Sequence, residues 1–213
     1  MIGAHVIFPA YGMWLSNDPR GSWSDFVGSW ELFVAGGRAT KTTKTHSLAH
    51  RPHDRDTRLA TKQALQRPTV QFDGVQAKAV GDGFADYVQR SGLVVWACAI
   101  MPDHVLLVVK PCRARIPDIV IQLKGAATRQ LIAAGVHPFA ERAGPDGRMP
   151  KCWARGQWKV FLDREADVRR AIQYVEDNPV KDHKPRQRWS FVTPLAVSRD
   201  APAERGPSAP EAT

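Results

Sequence analysis

A chain of 213 residues that is 43% hydrophobic is long enough for one generous domain with an insertion and a tail, and too apolar to be wholly disordered or fibrous. Its 30 Lys and Arg against 21 Asp and Glu leave a net charge of +9, which suits a polyanionic partner and leaves nucleic acid and an anionic membrane surface both open. No uninterrupted apolar run reaches the ~18 residues of a membrane span, and no basic-then-apolar leader opens the chain, so the reading is a cytoplasmic protein without membrane insertion. The three cysteines, Cys98, Cys112 and Cys152, lack a C-x-x-C pair and read as buried thiols, not as a disulfide framework or zinc knuckle.

The apolar, aromatic segment from His5 to Leu15 predicts a strand, and Asn17-Asp18-Pro19-Arg20-Gly21 predicts a turn. Between residues 36 and 67, eight Lys and Arg face only Asp54 and Asp56. This stretch reads as a basic insertion, with 36–53 an exposed loop that is either solvated or in contact with nucleic acid. His46, His50 and His53 within it have spacings that could hold a metal, although a solvated loop explains them as well.

Val75 to Arg90 predicts a helix stopped by Gly92. Leu93–Ile100 and His104–Val109 predict a hairpin turning at Met101-Pro102-Asp103. Ile116 to Ile132 carries a helical apolar stripe, Trp158–Leu162 a short strand, and Asp163 reads as the N-cap of a last helix ending at Asn178 before Pro179. Hairpin-joined strands interleaved with helices predict an α+β, ferredoxin-like antiparallel sheet with helices packed on it. The whole is a single domain over 1–194, followed by a disordered tail at 195–213 that is too polar and Pro-rich to bury a core.

No Walker, dinucleotide-binding, serine-hydrolase or zincin motif occurs. At ~100° per residue the last helix puts Val168, Ala171, Ile172 and Val175 in an apolar stripe, with Tyr174 and Asn178 one turn apart along its border. From geometry alone Tyr174 is a boundary residue with a packed ring and a wet hydroxyl.

Met101-Pro102-Asp103-His104-Val105-Leu106-Leu107-Val108-Val109 resembles the "MPNHVHLLV" segment of the single-tyrosine HUH transposases, in particular the REP-associated tyrosine transposases. Tyr174-Val175-Glu176-Asp177-Asn178-Pro179-Val180-Lys181 resembles that family's "YIxxNPVKAG" signature. Leu123 to Arg129 and Trp153 to Asp163 resemble two further pieces in the same order, so the likeness covers roughly residues 75 to 192.

The resemblance implies a DNA transposase that cuts and rejoins single-stranded or hairpin DNA through a 5′-phosphotyrosine, often as a homodimer. It implies Tyr174 as nucleophile and His104 and Asn178 as ligands of Mg²⁺ or Mn²⁺. A covalent link conserves the phosphodiester energy, so rejoining needs no ATP. One residue departs from the pattern: the second histidine's place is Leu106, on the same strand face as His104 but without a lone pair. The expectation therefore divides between a transposase with a weakened metal site and a DNA-binding relative that has lost efficient cleavage. Lys181, Lys184, Arg186 and Arg188, with Trp189 beside them, could hold phosphates and stack a base, or Trp189 could pack on the sheet. Lys124 and Arg129 are further DNA-contact candidates that otherwise read as solvated charges.

Overall fold

The computed structural model describes residues 1–44, 48 and 51–196; His46, His50 and all of the tail beyond 196 lie outside them. Four strands, β1 (Gly3–Pro9), β2 (Val95–Ile100), β3 (His104–Val109) and β4 (Trp158–Leu162), form one antiparallel sheet in the order β2-β3-β1-β4. A helical segment separates β1 from β2 and another separates β3 from β4, which is the ferredoxin-like topology expected from the sequence. Alternation along the strands sends Ala4, Val6 and Phe8 of β1 and Val105, Leu107 and Val109 of β3 to one face.

On that face lie α3 (Gly74–Ser91) and α4 (Ile116–Ala133), which bury Val80, Phe84, Ile119, Val120, Leu123 and Leu131 in the larger core. Asp73 caps α3 reciprocally with Gln76, and Gly92 ends it in the left-handed region at φ 67°. The two helices approach so closely at Gly83 that an added Cβ would lie 2.7 Å from the Ala126 carbonyl oxygen.

The opposite face carries α5 (Glu165–Lys181), whose Val168, Ala171 and Val175 pack on Ala97, Ala99, Leu106, Val108 and Leu162. Two expectations for α5 are corrected. Its N-cap is Arg164, which makes no side-chain capping bond, and Asp163 instead pairs with the terminal amine at 3.0 Å. The helix also runs through Pro179, because a proline in the last turn forfeits one backbone bond while its ring is buried.

The chain between β1 and α3 is helical in two described stretches. It contains α1 (Trp30–Gly36) and α2 (Arg55–Gln63), the latter capped by the Asp54 carboxylate on the Thr57 amide. A buried ion pair, Arg20 to Asp18 at 2.7 Å, organises its start, with the Arg20 guanidinium 3.8 Å from the centre of the Trp14 ring. Asn17 and Thr40 tie this turn to the ends of α1 through side-chain bonds to Leu32, Gly37 and Asp18 carbonyls. Among the described residues, no helix is long and apolar enough to cross a membrane.

Candidate functional site

Antiparallel register fixes which side chains share the α5 face. His5 lies opposite Val108 on one side and Val160 on the other, Ile7 lies opposite Leu106, and Pro9 lies opposite His104. Directly opposed residues project to the same face, so His104, Leu106 and Val108 form one row and His5 and Ile7 the next. Leu106 is 0% exposed and sits in the apolar cluster beneath α5. The position where the resemblance places a metal-binding histidine is thus closed hydrocarbon.

His104 begins β3, and its Nδ1 lies 2.7 Å from an Asp103 carboxylate oxygen. Burial pushes the Asp103 carboxyl up, but the His104 hydrogen bond and charge, with the charge of Lys62 on α2, outweigh it and hold the group below the usual carboxylate range. The basic insertion thereby delivers a cation to the His104 end of the sheet. His104 faces Pro9, four residues along β1 from His5, or about 13 Å of strand.

Tyr174, on α5, is 40% exposed and borders the core, and Asn178 is half-buried one turn later. The Tyr174 ring meets the His5 ring edge-on at 5.6 Å, and the Lys181 ammonium lies 5.1 Å from the tyrosine ring centre. His5 also meets Trp158 edge-on at 5.5 Å, and Trp158 stacks with Trp23 of the loop between β1 and α1 at 6.1 Å. His5 is buried and its Nε2 has no hydrogen-bond partner, and burial lowers its pKa to about 4. Sequence reasoning missed His5 because its neighbours are set by strand order; its odd-numbered place on β1 is the only local signal.

A divalent cation does not fit these residues. Among the described residues no group of three His, Cys, Asp or Glu side chains could hold a metal ion. An imidazole already engaged by Asp103 and a single amide are a poor set for a hard dication, and Leu106 adds no lone pair beside His104. His53, the described histidine of the insertion, uses Nδ1 on the Arg51 carbonyl.

The remaining cations divide by location. Lys181 and Arg188 are exposed, while Lys184 is paired with Asp182 and Arg186 with Asp177. Lys124 lies in the opposite layer, where its ammonium donates to the Ala154 and Gly156 carbonyls, both at 2.8 Å. Burial lowers its pKa to about 8, so it clamps the loop before β4 and is not a freely solvated charge. Arg129 is exposed on α4 in that same layer. Trp189 stacks with Phe191 and fills the space over Gly81, which gives it a packing role.

An antiparallel α+β domain with an exposed helix-borne tyrosine among aromatic rings and cations is the class that fold and site define. No family model and no curated protein matches the chain. Among solved structures it is similar to a Deinococcus radiodurans R1 protein assigned as a transposase, at 18% identity and TM-score 0.40, over 83% of this chain and 89% of that one. It is also similar to a REP-associated tyrosine transposase bound to a REP hairpin, at 11% identity and TM-score 0.43, over 85% of this chain and 68% of that one.

Proposed function

We propose that the protein binds single-stranded or hairpin DNA across the α5 side of the sheet, and that it does not cut DNA by a metal-dependent route. The observation that carries the second half is Leu106, fully buried against α5 where a second metal-binding histidine would be needed beside His104. The first half is supported by the net charge of +9, by the exposed Lys181 and Arg188, and by Tyr174 and its aromatic neighbours, an arrangement suited to unpaired bases and their phosphates.

Strand transfer through Tyr174 is the second reading, favoured by the exposure of that ring beside the Lys181 ammonium. In that reaction the phenolic oxygen forms a bond to phosphorus, the bond from phosphorus to the 3′ oxygen breaks, and the departing oxygen takes up a proton as a 3′-OH.

A native gel-shift titration tests the binding reading, with a hairpin bearing a single-stranded arm against a fully paired duplex of equal charge. The expected result is tighter binding of the hairpin, weakening steeply with added salt. Equal affinity for both would leave only non-specific attraction to phosphate and refute the reading.

A further inference from the structure

The loop between β1 and α1 contributes directly to the face that carries Tyr174. Trp23 is 47% exposed, yet the loop bearing it is fixed: Ser22 donates to the Ser16 carbonyl through its hydroxyl and to the Thr40 carbonyl through its amide, and Ser22 bridges Lys41. From this anchored position the indole stacks on Trp158 with an interplanar angle of 21°. Trp158 in turn contacts His5, and His5 contacts Tyr174, so aromatic rings run without a break from Trp23 to the candidate nucleophile. Lys181 lies over the tyrosine end.

Exposed aromatic faces held by a rigid support, flanked by cations, are what unpaired nucleobases stack upon, since every base offers a π face irrespective of sequence. The unpartnered Nε2 of His5, buried between the Trp158 and Tyr174 rings, adds a polar atom at the floor of the same place. We infer that the exposed rings of Trp23 and Tyr174, joined through the half-buried Trp158 and through His5, form a stacking track for unpaired bases of a DNA strand, leading from the loop between β1 and α1 to the Tyr174 hydroxyl. The inference rests on the proposed single-strand binding and assigns it to particular rings. It gives the loop between β1 and α1 a part in that binding.

The test uses the full chain and a short labelled oligothymidylate, with affinity read by anisotropy and ring contact by quenching of tryptophan fluorescence. Trp23→Ala, an exposed truncation, is expected to weaken binding about tenfold and remove part of the quenching, whereas Trp23→Phe recovers most of the affinity. Trp30→Ala, on an exposed ring of α1 stacked with Phe33 instead, is expected to leave affinity unchanged. An oligonucleotide with abasic positions should lose the same factor with the wild type and little more with Trp23→Ala.

If the wild type binds the oligonucleotide and Trp23→Ala binds equally well, the track is overturned while the proposed function stands. Failure of the wild type to bind any single strand overturns both. Sedimentation showing that Trp23 holds two copies of the chain together, with Trp23→Ala monomeric, would also overturn the track.

Discussion

Acid should loosen this protein through His5. Burial lowers the pKa of its imidazole from 6.5 to about 4, so above pH 6.5 the ring is neutral in both folded and unfolded chains and its contribution to stability is complete. As the pH falls the unfolded chain takes up the proton first, and stability is lost progressively until about pH 4, below which both states are charged. The whole gap corresponds to about 3 kcal/mol, and roughly 2 kcal/mol of it is lost between pH 8 and pH 5. That is a substantial share of the ~5–15 kcal/mol typical of a folded domain. Urea unfolding of the wild type and of His5→Leu at both pH values measures it. His137, also pushed down by burial, contributes in the same direction to both proteins and cancels in the comparison. The wild type is expected to lose about 2 kcal/mol more than the variant. Equal losses would refute the claim that an uncompensated imidazole lies beneath Tyr174.

Two further outcomes separate structural from functional side chains. Lys124→Met removes two charge-assisted bonds to the loop before β4 and should cost about 1–3 kcal/mol in thermal or urea unfolding, while leaving oligonucleotide affinity within about twofold; a large loss of affinity at unchanged stability would return Lys124 to the DNA-contacting set. Leu106→His places a polar ring in the apolar cluster under α5 and should lower stability by about 2–4 kcal/mol, part of which Mn²⁺ restores by bridging to His104; Mn²⁺ should not shift the melting of the wild type, and a variant equally blind to Mn²⁺ would contradict the shared row of β3.

Local pattern carried much of the fold. The β-branched run 104–109, the short apolar run 158–162 and the stripe of α4 appear within a residue of their expected limits, because each segment's own periodicity matches the layer it enters. The chain between β1 and α3 was less legible: α1 buries no residue of its own, so no amphipathic stripe announces it, and α2 is short. The resemblance marked Tyr174, Asn178, His104 and the departure at Leu106, and the structure adds that Leu106 is packed and not merely substituted. His5 and Trp23 came only from the fold, since β1 lies between β3 and β4 and the loop bearing Trp23 folds back over β4 by contacts that no local spacing encodes. Lys124 sits on the polar side of its helix, as its spacing indicates, but the loop at 154–156 covers it.

The most direct measurement is a denaturing gel of the purified chain incubated with labelled hairpin DNA in Mg²⁺ or Mn²⁺, run beside a native gel of the same mixture. The expected result is a retarded complex on the native gel and no protein-linked DNA under denaturing conditions. A metal-dependent covalent adduct that disappears in Tyr174→Phe would contradict the account, and would mean that the buried Leu106 has not closed the site to chemistry.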